Sequence, residues 1–312
     1  MGVVQRRVVF LGTPAFAVPS LAALLQAGHN VIEVVTQPDR PKGRKQELAQ
    51  SAVKEFALRN GIPVFQPERA RRAEAVEHLR VLNPDLMVVV GYGQILPQSI
   101  IDIAPLGILN VHASLLPQLR GAAPVQWSLV NGDQVTGVTT MQIDAGLDTG
   151  DVLLRTETEI APDENAAELA FRLSHLGAAL LVETIARLGE ILPEKQDAAA
   201  ATLAPILTKE HGRIDWSRSA LEIHNQVRGL IPWPGAYTTF RGQALHIWKA
   251  RVSHPEVGKT GTLLNGKTAR IACGDGTVLE ALEVQWEGRK RVSASDFMNG
   301  LHLQENEVLG AA

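Results

Sequence analysis

Asn110 and His112 are the residues of this chain whose types and spacing first suggest chemistry. They are two apart at the end of an apolar run, 106–111, that reads as a strand. A strand sends alternate side chains to the same face, so both point the same way. They also come at the strand's carboxyl end, where open α/β sheets place their ligands. There an amide N–H can donate to a carbonyl oxygen that is gaining charge, and an imidazole can take a proton at neutral pH. Taken alone, an Asn-x-His pair reads more readily as satisfied polar residues at a strand end. A second segment supplies a carboxylate: Gly146-Leu147-Asp148-Thr149-Gly150-Asp151 lies between two expected strands. Its glycines permit a tight loop that projects Asp148. A carboxylate so projected can orient an imidazole and stabilise its charged form. An ordinary Asx turn has the same spacing.

Positioning these groups requires a sheet, and the pattern provides one. Apolar runs at 8–11, 31–36, 62–65, 86–90, 106–111, 135–143 and 152–158 read as strands. Helical stretches are expected to about Gln26, then over 48–59, 74–82 and 165–192. The run 86–90 is continuously apolar, as in a central strand covered on both faces. The alternation indicates an open, mostly parallel Rossmann-like α/β sheet. Composition shifts near Pro193, and Gln196-Asp197 with the following alanines read as a linker. Beyond it come a helix over 219–230 and short strands at 237–240, 245–252, 261–264, 268–272 and 278–286, which suggest a small OB-like β-barrel. The expected organisation is a catalytic domain over 1–192, a linker over 193–209 and a C-terminal barrel over 210–312.

Composition excludes several classes. The 312 residues are 45% hydrophobic and 20% charged with a formal net charge of −3, so no whole-chain basic balance announces nucleic-acid binding. Cys273 is the single cysteine, which rules out an intrachain disulfide and a cysteine metal site; no metal is expected, and the compartment that fits is the cytoplasm. Gln5-Arg6-Arg7 and the apolar residues after it imitate a secretory signal, but Gly12-Thr13-Pro14 breaks the run and a strand–turn–helix reading fits better. No other apolar stretch reads as long enough to span a membrane. Gly12-Thr13-Pro14 is also not a dinucleotide fingerprint, because Pro14 removes an N–H that could hold phosphate, and there is no Walker sequence.

Three motifs together resemble the folate-dependent formyltransferases: Asn110-Val-His112-Ala-Ser114-Leu-Leu-Pro117, Arg120-Gly-Ala-Ala-Pro-Val-Gln126 and Gly146-Leu-Asp148-Thr-Gly-Asp151. Thr36-Gln-Pro-Asp-Arg-Pro-Lys-Gly-Arg44 and the C-terminal region are similar to the branch that acts on methionyl initiator tRNA, over nearly the whole chain. The resemblance implies formyl transfer from 10-formyltetrahydrofolate to the methionyl α-amino group, with Asn110, His112 and Asp148 as catalytic residues. It points to Ser114, Leu115, Leu116 and Pro117, and to Gly91, Tyr92, Gln94, Ile95 and Leu96, for the folate. For Leu116 and Leu96, core packing competes equally with pteridine contact. For the tRNA it points to the loop holding Arg40, Lys42, Arg44 and Lys45, where four cations oppose only Asp39, with Arg44 matching the family's key basic residue. Lys209 opens a second basic stretch, 209–260, in which eight cationic side chains oppose four carboxylates. A monomer is expected.

Related enzymes remain as alternatives. Glycinamide ribonucleotide formyltransferases share the three catalytic residues but lack the C-terminal domain. The hydrolase part of formyltetrahydrofolate dehydrogenase has an apolar residue where Asn110 stands. Sugar-nucleotide formyltransferases share the core, and the basic loop favours tRNA over a nucleotide sugar. A non-catalytic RNA-binding protein on this fold is disfavoured by the intact Asn110, His112 and Asp148.

Overall fold

The computed structural model describes residues 4–42, 47–264, 268–301 and 307–310. In chain order its first elements are β1 (Arg7–Gly12), α1 (Val18–Gln26), β2 (Asn30–Val35), β3 (Arg40–Lys42), β4 (Glu47–Ala49), α2 (Ala52–Arg59), β5 (Val64–Phe65), α3 (Ala73–Val81), β6 (Leu86–Val90), α4 (Gln98–Ile101) and β7 (Ile108–His112). Then follow β8 (Arg120–Gly121), α5 (Pro124–Asn131), β9 (Val135–Gln142), β10 (Val152–Glu159), α6 (Ala166–Ala186) and β11 (Leu203–Ala204). The remainder is α7 (Ala220–Gly229), β12 (Ala236–Phe240), β13 (Gln243–Ser253), β14 (Ala269–Ala272), β15 (Val278–Trp286), β16 (Val292–Ser293) and α8 (Ala294–Asn299).

Two compact units result. One comprises Met1–Gly121, Thr136–Glu159 and Ala170–Leu203; the other comprises Ala122–Val135, Ile160–Leu169 and Ala204–Ala312. The division is not continuous along the chain. Residues 193–203, read as linker, cluster with the first unit, while 122–135 and 160–169 cluster with the second.

The first unit is built on a seven-stranded sheet of order β10-β9-β7-β6-β1-β2-β5. β5, β2, β1, β6 and β7 run parallel, and β9 runs antiparallel to β7. Val8, Val9, Phe10 and Leu11 of β1 are fully buried, and all of β6 is buried, as a strand covered on both faces requires. The chain steps from β1 outward to β2 and β5, then returns to place β6 on the other side of β1. That reversal makes the carboxyl ends of β1 and β6 a switch point of the kind where open sheets bind ligands. The residues after those strands, 13–14 and 91–96, and the end of β7 share that edge.

Some expected elements differ. The helix expected over 48–59 begins only at Ala52, because Ser51 caps it: Ser51 Oγ accepts from Lys54 N at 3.1 Å, and β4 occupies the residues before. The helix expected over 165–192 ends at Ala186, in turns that contain Gly189. By length and composition α6 could span a membrane, contrary to expectation, but half of its apolar window is buried, as in a core helix. Within 261–264 only Thr262 and Leu263 pair, in isolated bridges to Val308 and Ile271, instead of forming a strand. α5, with Pro124 at its start and left-handed Gly132 (φ +80°) at its stop, is missing from the sequence reading, as are α4, α8 and β16.

The second unit carries the antiparallel path β12-β13-β15-β14, with β16 paired to β15. Its core gathers Trp216, Ile223, Phe240, Ile247, Leu279 and Phe297 among others. α7 starts in a full capping box between Ser219 and Glu222.

Candidate active site

β7 delivers Asn110 and His112 to one face, and both side chains are buried. Among the described residues the Asn110 amide makes no side-chain hydrogen bond, so its donors are uncommitted. His112 is held on both sides. Its Nε2 lies 2.9 Å from Leu119 O and its Nδ1 lies 3.7 Å from Asp148 Oδ2. A carbonyl oxygen can only accept, so Nε2 carries the hydrogen and Nδ1 is the atom left with a lone pair in the neutral ring. Leu119 adopts a left-handed backbone (φ +58°) to present that carbonyl, which for a bulky residue costs about 1–2 kcal/mol.

Asp148 reaches His112 from the 144–151 loop. Asp144 Oδ1 accepts from Gly146 N at 3.0 Å and from Thr149 Oγ1 at 2.7 Å, which closes the turn. A Cβ on Gly146 would collide with Thr149 Oγ1, and one on Gly150 with the Gln142 carbonyl. Asp148 itself is left-handed (φ +51°), and its Oδ2 accepts from Gly121 N at 2.8 Å. The sequence reading missed the residues that fix this loop from outside. Gln196 Nε2 donates to Asp148 O at 2.8 Å and to Gly150 O at 2.7 Å. Gln196 Oε1 in turn accepts from Arg120 Nε and Nη2 at 3.0 and 2.8 Å. No local signal marks Gln196, which stands in the stretch read as linker.

The segments singled out for the folate are rigidly tied. Ser114 Oγ donates to Gln118 O at 2.6 Å, and Thr139 Oγ1 bridges Ser114 O and Leu116 N at 2.7 and 3.1 Å. Leu116 packs with Met141 and Val152, and Leu96 joins the core beneath the sheet edge. Both side chains are thus packed among core residues. Leu115 is half-buried with its side chain against Gly137, Pro117 is half-buried, and Ile95 is 89% exposed. In the other loop, Gln37 Nε2 donates to Tyr92 O and Gly93 O at 3.2 and 3.1 Å, and Thr13 Oγ1 donates to Tyr92 O at 3.1 Å. Gln94 Oε1 accepts from Ala70 N at 2.7 Å, so Gln94 anchors the loop. Gly91 turns in the left-handed region (φ +59°), where a Cβ would meet Pro14. Tyr92 is buried with its hydroxyl unpaired among the described residues, and burial pushes that hydroxyl up to about 12.

Of the expected tRNA-contacting residues, Arg40 lies exposed on β3 and Lys209 is exposed. Lys42 belongs to β3, but its side chain lies outside the described residues, as do Arg44 and Lys45 altogether. The basic stretch 209–260 is less cationic in space than in sequence. Arg251 pairs with Glu280 at 2.8 Å and Arg241 with Glu307 at 2.6 Å, both carboxylates from beyond the stretch. Arg228 is buried, donating to Asn225 Oδ1, Ala161 O and Glu164 O. Trp216 is core, and Arg291 lies 4.3 Å over the Trp248 ring. Among the described residues no group of three His, Cys, Asp or Glu side chains could hold a metal ion.

Comparison with known proteins places these residues in context. A family model described as formyl transferase matches residues 6–185, and one described as formyl transferase, C-terminal domain, matches residues 206–302. A protein named methionyl-tRNA formyltransferase from Solibacter usitatus (strain Ellin6076) is 62% identical over 307 residues, covering 97% of this chain and 98% of that protein. Another of that name from Koribacter versatilis (strain Ellin345) is 53% identical over 305 residues, covering 97% and 98%. Among solved structures, WlaRD, a sugar 3N-formyl transferase crystallised in the presence of dTDP and 5-N-formyl-THF, superposes with a TM-score of 0.69 at 20% identity. That match covers 92% of this chain and 100% of WlaRD, and it bears on the fold.

Proposed function

The chain belongs to the formyl transferase family, and from that premise we propose how its residues divide the reaction. The enzyme transfers a formyl group to the α-amino group of methionine on initiator tRNA, a step of translation initiation. The observation that carries the assignment of roles is the convergence at one strand end: Asn110 and His112 on one face of β7, with Asp148 3.7 Å from His112 Nδ1.

The methionyl α-amino group has an ordinary pKa of ~7.7–8.0, so it must shed a proton to attack and another afterwards. His112 Nδ1 accepts the proton that the amine releases on attack, since Nε2 is already committed to Leu119 O, and returns it to the tetrahydrofolate nitrogen that leaves as its bond to the formyl carbon breaks. Asp148, fixed by Gly121 N, compensates the charge that the ring acquires. Asn110 directs its uncommitted N–H donors to the formyl oxygen as that oxygen gains negative charge. The donor is 10-formyltetrahydrofolate, read chiefly by backbone groups of 91–96 and 114–117 with Ile95 and Leu115 as apolar contacts. Arg40, Lys42, Arg44, Lys45 and Lys209 hold tRNA phosphates, and the enzyme works as a cytoplasmic monomer.

The test is a formylation assay with 10-formyltetrahydrofolate and purified protein, comparing methionyl initiator tRNA with methionyl elongator tRNA. Formyl transfer to the initiator species is expected to dominate. Absence of transfer with tRNA binding retained would turn the reading into that of a binding protein.

A further inference from the structure

Two residues other than glycine in the catalytic region hold left-handed backbones, Leu119 (φ +58°) and Asp148 (φ +51°), and they are the two partners of the His112 ring. Each is held by one side chain of the segment after α6. Thr202 Oγ1 accepts from Leu119 N at 2.8 Å, while Thr202 O accepts from Arg120 N at 2.9 Å. Gln196 Nε2 donates to Asp148 O at 2.8 Å and Gly150 O at 2.7 Å. The same segment is anchored at its start by the paired backbones of Glu194 and Val152 and by Arg155, which bonds Glu194 at 2.8 Å and Leu116 O at 2.9 Å. A left-handed backbone persists at a residue with a Cβ only where its surroundings over-determine it.

We propose that the segment 194–202 is a positioning strap for the transfer reaction, in which Gln196 and Thr202 hold the two partners of the His112 ring in register. The inference rests on the assignment of His112 as proton acceptor. Gln196 and Thr202 are positioning residues that touch neither substrate nor donor; they act through Asp148 and Leu119. Arg120 sets Gln196, because its guanidinium occupies Gln196 Oε1 and thereby turns Nε2 toward the two carbonyls.

Steady-state kinetics with varied tRNA and varied formyl donor test the strap. Gln196→Ala is expected to lower kcat about ten- to a hundredfold, the scale of a misplacement of about 1 Å, with both KM values changed less than about twofold. Gln196→Glu keeps the acceptor for Arg120 but loses the donor, and should fall as far as the alanine. Thr202→Val should lower kcat, and Thr202→Ser should restore it. Thermal unfolding of each variant separates misfolding from mispositioning. A cycle with Asp148→Ala closes the test: if Gln196 acts through Asp148, adding Gln196→Ala should change kcat little further. An unchanged kcat in Gln196→Ala, or a fully additive loss with Asp148→Ala, overturns the strap. If His112→Ala retains full kcat, the assignment of His112 fails instead, and the two failures are distinguishable because the first leaves His112→Ala inactive.

Discussion

β7 and the 144–151 loop reach the same imidazole by opposite means. β7 is a regular strand in mid-sheet, paired with β6 on one side and β9 on the other, and its pleat alone puts Asn110 and His112 side by side. The loop has no ladder to hold it. Asp148 keeps its place through an internal Asp144 turn, two glycines with no room for a Cβ, the Gly121 N–H and the Gln196 amide. Regular elements position catalytic groups with local information, whereas a loop needs contacts from distant sequence. The difference makes specific demands on variants.

The strand-borne pair should give the largest effects without loss of fold. His112→Ala is expected to lower kcat about 10²–10⁴-fold by removing the proposed proton acceptor. Asn110→Ala should cost on the order of 10²–10³ by removing the proposed oxyanion donor. In both, KM for tRNA and the unfolding midpoint should hold nearly steady in single-turnover and thermal-melt measurements. A large loss of stability in either variant would mean that the pair is a packing feature and would erase the contrast with the loop.

The loop should fail through its backbone. Gly150→Ala drives a Cβ into the Gln142 carbonyl, a backbone atom that cannot step aside, and Gly146→Ala meets the side-chain hydroxyl of Thr149. Activity is expected to drop about tenfold or more in Gly150→Ala, consistent with an Asp148 shifted by a fraction of an ångström, and less in Gly146→Ala, where Thr149 can turn. Equal kinetics for the two variants would show that the loop is held elsewhere.

This contrast also explains what the sequence made legible. The continuous apolar run of β6 and the end of β7 can be read directly, because period and burial are local properties. Asp148 could be singled out from its glycines, but its distance to His112 depends on Gly121 and Gln196, 27 and 48 residues away. Gln196 was illegible for the same reason: within its own neighbourhood it is one polar residue before an alanine run. Charge counting failed similarly in the second unit, where Arg251 and Arg241 meet Glu280 and Glu307 from outside the window that was counted. α5 was legible from Pro124 and Gly132 but lay inside a stretch read only for its resemblance.

The second unit supplies smaller tests. Ser219 and Glu222 form a reciprocal cap at the start of α7, with Glu222 Oε2 accepting from Ser219 N at 2.9 Å. Ser219→Ala should reduce unfolding free energy by about 1 kcal/mol in urea titration. Its kcat should match the parent, and a kcat effect would couple the cap to the chemistry.

The mildest change compares two loop carboxylates. Asp148 has a backbone donor and faces an imidazole, whereas the Asp133 carboxyl, beyond the end of α5, has no hydrogen bond among the described residues, and burial raises it above its ordinary value of 3.8. A carboxyl raised in the folded state holds its proton more tightly there than in the unfolded chain, so its ionisation opposes folding. That penalty is complete above the folded value and vanishes below the unfolded one. Asp133→Asn should therefore raise the unfolding midpoint at neutral pH, and the gain should shrink as pH falls through the carboxylate range. Midpoints of parent and variant measured at pH 7 and at about pH 3 check the sign. A gain that persists undiminished in acid would mean that the side chain is favoured for its shape, and a loss at pH 7 would reveal a hydrogen-bond donor to the Asp133 carboxylate, as Gly121 N is to Asp148.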